Sequence, residues 1–405
     1  MGATLLALNG VEVRRGMRVV LKDHTIEVKA GELVALVGSN GSGKSTLLET
    51  AVGLLPLERG TVRHGEVDVL DADGRQRSST LSIGLTLQKN GMLGSEIVSE
   101  HLEIACSMRG FAVDFTRFLD GFSLSHRQND LVTNLSQGQA RKVAVLAGLL
   151  PAFASDQPAL VLLDEPAAGL DDAAVEALCD WLTELRLLGH GLMVCTHDQR
   201  LLNIATAHHD IAASSTMPHQ PAEASVPTAM KRRTTRGVSP ASFGISVHRR
   251  TMLWLNQNAM AALLTLGVLL SLGEFMSALN SMQQLGMVLA PALAAGLCGE
   301  ALVAATQEER SNAWWRAVGG GVPHAGWLPL FIGAAITVMT IFGLQTSLNL
   351  NHVVIGSLLC WCVWHGIRWT QLSTQRLARP RAVFVGLLTP VLILPYALLI
   401  DFLTR

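Results

Sequence analysis

The stretch that decides the fold is residues 33–55, LVALVGSNGSGKSTLLETAVGLL. It begins with five apolar residues rich in valine, which predict a buried strand. The residues from Gly38 to Ser45 match GxxxxGK[S/T], and apolar residues then recur with helical spacing. A glycine-rich loop between a strand and a helix lets successive N–H groups point at phosphate oxygens. The stretch therefore predicts a phosphate-binding loop.

The residue types in this loop indicate separate tasks. We expect Lys44 to reach the β- and γ-phosphates of a nucleotide and the hydroxyl of Ser45 to bind Mg²⁺. The predicted nucleotide contacts of the loop are Gly38, Ser39, Asn40, Gly41, Ser42, Gly43, Lys44, Ser45 and Thr46.

A second apolar strand, in ALVLLDEP, ends in Asp164 and Glu165. A carboxylate at a strand tip beside a phosphate-binding loop can hold Mg²⁺, and the adjacent Glu165 can orient or deprotonate the attacking water. Two acids after a strand are also common at an ordinary helix N-terminus. The pair alone leaves both interpretations open.

Further short motifs follow in a fixed order: Gln88 in GLTLQKN, LSQGQ before an amphipathic helix, Asp171 in GLDD, and His197 at the end of GLMVCTHD. Together with GSNGSGKS and LLDEP, they resemble the ATP-binding-cassette (ABC) ATPases over roughly residues 1–212. The resemblance implies an α/β P-loop NTPase fold and the cofactors ATP and Mg²⁺.

The resemblance also implies a dimer in which two cassettes meet head to tail. ATP on the loop of one subunit is closed by LSQGQ of the other, and Asp171 belongs to the nucleotide site. Gln88 is expected to sense Mg²⁺ and the membrane partner, and His197 to contact the γ-phosphate and Glu165. The implied catalytic residues are Glu165, His197 and Gln88. The implied metal ligands are Ser45, Gln88 and Asp164, and the implied LSQGQ contacts are Ser136, Gln137, Gly138 and Gln139.

The chain departs from the family pattern at two places. Gln137 replaces the first glycine of LSGGQ, but Ser136 and Gly138 remain, so we expect the motif to function. The aromatic residue that stacks on adenine is replaced by Arg15 in VEVRRGMRVVL. A guanidinium plane can stack on a base. The alternative is a solvated arginine with adenine held elsewhere.

Composition separates the chain into two parts. It has 405 residues, 49% of them hydrophobic, and a net charge of −1, which implies no nucleic-acid partner. Its six cysteines form no CxxC pair and are expected to be buried reduced thiols. Residues 213–250 are rich in proline, serine and alanine and carry a basic cluster, which predicts a flexible juxtamembrane linker. The N-terminus lacks the features of a secretory signal, so the cassette is expected in the cytosol.

The last part of the chain predicts an all-α transmembrane domain, residues 251–405, of five or six helices. A span needs about 20 apolar residues. The candidates, whose flanking loops follow the positive-inside rule, are 252–272, 283–305, 328–345, 351–368 and 382–401.

Two polar features of this part have alternative interpretations. The loop that contains Trp314 and Trp315 resembles the cytosolic loop of exporter-type ABC permeases, where an interfacial helix presses on the cassette. The same tryptophans, with Trp327, can instead anchor the membrane interface. Glu300 lies inside the second predicted span, where we expect it to line a substrate path; the alternative is interhelical hydrogen bonding.

The sequence therefore predicts an ATP-driven half-transporter in a bacterial cytoplasmic membrane. We expect it to export a hydrophobic or amphipathic substrate, in contact with membrane lipid, as a homodimer or as a heterodimer with a sister chain. The alternative is a membrane-anchored ABC ATPase that drives or signals to a partner complex without translocating a substrate.

Overall fold

The computed structural model describes residues 2–221, 232–271, 281–308, 311–347, 349–373 and 389. The chain forms two compact units. The first is Met1–Ser239 with Glu309–Val322, and the second is Pro240–Glu308 with Pro323–Arg405.

The first unit is an α/β fold. Its strands are β1 Thr4–Arg15, β2 Arg18–Lys29, β3 Leu33–Val37, β4 Arg59–His64, β5 Val67–Asp71, β6 Ile83–Thr86, β7 Phe111–Val113, β8 Leu160–Asp164, β9 Gly191–Cys195, β10 Ala207–Asp210, β11 Ser215–Pro218 and β12 Arg232–Thr234. Its helices are α1 Lys44–Ala51, α2 Val98–Ser107, α3 Thr116–Gly121, α4 Gln137–Ala154, α5 Asp172–Leu187 and α6 Gln199–Ile204.

The order of the strands positions the site. The main sheet runs β11-β10-β3-β9-β8-β6, and all of its neighbours except β11 pair in parallel. Its central strands are almost fully buried because they are continuous apolar runs. The carboxyl ends of β3, β6, β8 and β9 lie at one edge, so the segments that follow them meet there.

The segment 213–250 differs from the predicted flexible linker. Residues 215–218 form β11, which pairs with β10, and residues 232–234 form β12, which pairs with β7. Both strands are short and polar, so their sequence has no period-2 apolar pattern to distinguish them from a loop. The helix α7, Pro240–Thr251, buries Phe243 and Val247 on one face. Residues 222–231 lie outside the described part.

The second unit is helical. After α7 come a π-helical turn, Leu255–Ala259, and the helices α8 Met260–Ser271, α9 Ser281–Leu297, α10 Ala301–Glu308, α12 Leu328–Gly343 and α13 Leu350–Ser373. The helix α11, Asn312–Gly319, lies between α10 and α12 in sequence but belongs to the first unit.

Within the described residues, two helical stretches are long and apolar enough to cross a membrane. They are Gln283–Gln307, which takes in most of α9 and α10, and Leu350–Leu372, which lies in α13. A third candidate is the pair Pro240–Thr251 and Leu255–Ser271, which is bent by 65°. The helix Leu328–Gly343 is apolar but shorter. These helices overlap the first four predicted spans, and the fifth, 382–401, lies outside the described residues except for residue 389.

Polar groups connect the helices of the second unit. Glu300 is fully buried and accepts hydrogen bonds from His248 Nε2 at 2.6 Å, the Ala325 amide at 2.7 Å and Trp364 Nε1 at 3.2 Å. Asn258 Nδ2 donates to the carbonyl of Ala295 on α9 at 2.8 Å and to that of Gly299, just beyond the end of α9, at 2.9 Å. Of the two interpretations of Glu300, the structure favours interhelical hydrogen bonding. This carboxylate also accepts from the Leu302 amide at 3.4 Å, so four donors bind it, and it has no exposed surface.

Candidate functional site

The phosphate-binding loop follows β3 and ends where α1 begins. Glycine is required at Gly43, the N-cap residue, because its φ is +113° and an added Cβ would approach Val20 and Leu21 to 3.2 Å. Lys44 is buried, and its Nζ donates to the carbonyls of Gly38 at 2.8 Å and Ser39 at 3.1 Å. The lysine ammonium is therefore held over the loop by the loop's own backbone.

A cleft of about 1100 Å³ opens beside this loop. It brings together most of the residues predicted from the sequence. From the loop it is lined by Asn40, Gly41, Gly43, Lys44, Ser45 and Thr46. From the other motifs it is lined by Gln88, Gln137, Gly138, Glu165 and His197.

Asp164 ends β8 and lies deep beside the loop. Burial raises the pKa of its carboxyl, and a hydrogen bond from Ser45 and the charges of Arg141 and Lys44 act in the opposite direction. Among the described residues, its Oδ1 is buried without a hydrogen-bond partner. This buried carboxylate oxygen receives no hydrogen bond and lies next to a serine hydroxyl. Two such oxygen atoms are ligands that suit Mg²⁺. The residues present thus fit the predicted metal ion.

Glu165 and His197 face each other across the ends of β8 and β9. His197 Nε2 lies 3.5 Å from Glu165 Oε1, and the Glu165 amide donates to the Cys195 carbonyl at 2.9 Å. Glu165 has a φ of +47°, a conformation that few non-glycine residues adopt. Burial raises the pKa of the Glu165 carboxyl, while the nearby His197 acts to lower it. A carboxylate with a raised pKa at the edge of a cleft is suited to accept a proton from water.

The LSQGQ motif forms the start of α4. Ser136 is the N-cap residue, and its Oγ accepts from the Gln139 amide at 3.2 Å while Gln139 Oε1 accepts from the Ser136 amide at 3.0 Å. This capping box fixes the helix end. Gln137 and Gly138 line the cleft, whereas the structure gives Gln139 a capping role.

Eight predicted residues are not among those that line the cleft: Gly38, Ser39, Ser42, Ser136, Gln139, Asp164, Asp171 and Arg15. Asp171 caps α5 by accepting from the Ala174 amide at 2.9 Å, and it pairs with Lys142 at 2.5 Å. Arg15 pairs with Glu49 of α1, and Val20 is the residue from the β1–β2 hairpin that reaches the cleft wall. The adenine-stacking role of Arg15 is therefore still a prediction.

The structure adds Arg141, which sequence reasoning missed. It lies on α4 four residues after Gln137, so both residues share one helix face, and both line the cleft. This spacing is the signal that could have identified it.

Within the first unit, a tryptophan packs close to the loop after β6 that contains Gln88, here called the Gln88 loop. Trp314 of α11 is 2% exposed, and its Nε1 donates to the Leu85 carbonyl at 3.0 Å. Its ring lies 5.1 Å from that of His101, which is buried and paired with Glu96. A Cβ on Gly91 would approach the Trp314 side chain to 2.9 Å, so the fit requires glycine there. The α11 segment is therefore anchored to the strand and loop that carry Gln88.

Known proteins are similar to this chain mainly over its N-terminal half. The sequence profile described as "ABC transporter" matches residues 21–168. The chain is 33% identical over 206 residues to the Zinc import ATP-binding protein ZnuC of Paramagnetospirillum magneticum, covering 51% of this chain and 72% of ZnuC. It is 28% identical over 277 residues to the Macrolide export ATP-binding/permease protein MacB of Escherichia coli, covering 64% of this chain and 41% of MacB. A solved "ATP binding subunit of ABC transporter" aligns with 26% identity and a TM-score of 0.44, over 51% of this chain and 85% of that chain.

Proposed function

Because the chain belongs to the ABC transporter family, we propose that it is half of an ATP-driven membrane transporter that works as a dimer. Its first unit is an ABC-type ATPase domain. The proposal adds that hydrolysis in the cleft drives the helices of the second unit. The observation that carries it is the position of α11, which lies in Glu309–Val322. This segment is anchored beside the Gln88 loop in the first unit, whereas the chain segments before and after it belong to the second, helical unit.

The chemistry follows from the geometry of the cleft. The loop amides and Lys44 bind the phosphates of ATP. Glu165 accepts a proton from the attacking water, and His197, 3.5 Å away, orients that carboxylate and contacts the γ-phosphate. Ser45 and Asp164 would hold Mg²⁺, with Gln88 at the edge of the same site. When bound, Mg²⁺ neutralises charge on the β- and γ-phosphates.

We propose further that two copies share two ATP sites. The start of α4 presents N–H groups and the positive end of a helix dipole, which suit a γ-phosphate bound to another subunit. One chain contains both the phosphate-binding loop and the LSQGQ motif, the two parts from which each shared ATP site would form. This supports a homodimer. A sister chain with the same motifs would form an equivalent heterodimer.

For direction and substrate, we propose export of a hydrophobic or amphipathic molecule. The match to MacB covers 64% of this chain, against 51% for ZnuC, and the name of MacB describes export. The carboxylate of Glu300 and the amide nitrogen of Asn258 are bonded within the protein, whereas Asn258 Oδ1 is buried without a hydrogen-bond partner among the described residues. The proposed location is a bacterial cytoplasmic membrane, with the first unit in the cytosol and lipid around the second.

The experiment that tests this function is reconstitution of the full chain in liposomes. ATPase activity is screened against lipids, hydrophobic peptides and amphipathic drugs, with Glu165→Gln as the silent control. The compound that stimulates most is then assayed for ATP-dependent movement across the bilayer. Movement supports transport. Stimulated hydrolysis without movement of any compound would instead support the ATPase that drives a partner complex.

The raised pKa of Glu165 gives a pH prediction. Glu165 must be ionised to accept a proton, so kcat falls as pH drops through its pKa, above the ordinary value of 4.5. His197 acts to lower this pKa, so its loss raises the pKa further. We therefore expect His197→Ala to reduce kcat and also to move the acidic midpoint of the normalised pH–kcat profile to higher pH. A variant midpoint equal to that of the wild type, or below it, would contradict this assignment.

A further inference from the structure

Arg141 is an arginine buried against the backbone of Asp164 and Glu165. It is 6% exposed, yet it lies on the wall of the cleft. A buried guanidinium is stable only where its N–H groups find acceptors. The positions of those acceptors therefore indicate what the residue holds.

The guanidinium of Arg141 bridges two segments that carry site residues. Its Nη1 donates to the Leu87 carbonyl at 2.7 Å and to Asn90 Oδ1 at 3.4 Å. Its Nη2 donates to the carbonyls of Asp164 at 2.5 Å and Glu165 at 2.8 Å. The first pair of acceptors flanks Gln88, and the second pair is the backbone of the predicted metal ligand Asp164 and of the general base Glu165.

The backbone of Glu165 needs such support. Its positive φ, +47°, is unfavourable for a non-glycine residue and persists only where neighbouring groups hold it. The Glu165 amide is held by the Cys195 carbonyl, and the Glu165 carbonyl is held by Arg141. A lysine at this position would present a point charge in place of a planar fork and would not serve both segments at once.

We propose that Arg141 is a positioning residue that fixes the Glu165 carboxylate relative to the Gln88 loop. It does so through the carbonyls on both segments and does not act on the nucleotide itself. Loss of these bonds lets the Glu165 backbone relax from its positive φ, which moves the general base away from the attacking water. Displacement of a reacting group by about 1 Å lowers the rate by up to about 100-fold.

The test compares Arg141→Lys and Arg141→Ala with the wild-type full chain in detergent. We expect kcat to fall by about tenfold or more in both variants, with the KM for ATP and the affinity for a fluorescent ATP analogue changed by less than about threefold. Added guanidinium at a non-denaturing concentration is expected to restore part of the activity of Arg141→Ala, because it re-occupies the acceptors. The matched control is Arg117→Lys, at an arginine that pairs with Glu184 at 2.9 Å on the surface.

Two results would overturn the proposal. One is a kcat of Arg141→Lys within about twofold of the wild type. The other is a fall in kcat that is matched by an equal loss of nucleotide binding, which indicates a purely structural role. Where Arg141→Ala yields no folded protein, the kcat and binding of Arg141→Lys decide the question alone.

Discussion

Replacement of Glu165 by glutamine is expected to lower ATP hydrolysis by about 100-fold or more while leaving ATP bound. The amide keeps the size of the carboxylate but cannot accept the proton of the attacking water. The loop residues and Lys44, which hold the phosphates, are unchanged. The measurement is phosphate release by the full chain in detergent, together with equilibrium binding of a fluorescent ATP analogue.

The same variant is expected to stay dimeric in the presence of Mg-ATP, because a site that binds but does not hydrolyse ATP keeps the two copies closed. Size determination with and without Mg-ATP measures this. The control is Glu176→Gln, at an exposed glutamate of α5, which should hydrolyse ATP at the wild-type rate. Wild-type turnover by Glu165→Gln would remove Glu165 from the mechanism.

Replacement of Trp314 by alanine is expected to abolish the response of hydrolysis to the membrane while basal hydrolysis persists. The indole fills the space beside Gly91 and donates to the Leu85 carbonyl at 3.0 Å, and alanine does neither. The measurement is the ratio of ATPase activity in nanodiscs of phosphatidylethanolamine and phosphatidylglycerol to that in detergent. We expect this ratio to fall to about 1. At that value the membrane environment no longer changes the rate of hydrolysis, and the coupling free energy between the two is zero.

Two further variants separate the contributions. Trp314→Phe keeps a ring beside His101 but loses the N–H donor, so we expect an intermediate response. Glu176→Gln, at an exposed glutamate of α5, should leave the ratio at the wild-type value. If Trp314→Ala responds to lipid as strongly as the wild type, α11 does not connect the two activities.

The parts of the site that are local in sequence could be predicted. The loop from Gly38 to Ser45, the acids after β8 and the capping of α4 by Ser136 each depend on residues a few positions apart. Parallel strands bring Gln88, Glu165 and His197 to one edge, but the sequence assigns Gln88 and His197 to the site only through the resemblance to the ABC ATPases.

The parts that depend on distant partners could not be predicted. The bond between Arg141 and the Leu87 carbonyl joins residues 54 positions apart, and the bond between Trp314 and Leu85 joins residues 229 positions apart. Backbone carbonyls accept both bonds, so no sequence pattern marks the acceptors. Short strands at a sheet edge need few apolar residues. The polar strands β11 and β12 therefore have the composition of a linker, and the sequence predicts one there.

The central claim is that closure of two copies around ATP moves the helices of the second unit. The most direct measurement is the distance between spin labels on Cys362 of two copies in nanodiscs, by pulsed electron paramagnetic resonance. Cys362 is exposed on α13, and the other five cysteines are replaced by alanine. In the Glu165→Gln background we predict a distance distribution that shifts on addition of Mg-ATP, and no shift when Lys44→Ala is added. An unchanged distance distribution with ATP bound would contradict the account. So would the absence of a measurable distance between spin labels on two copies.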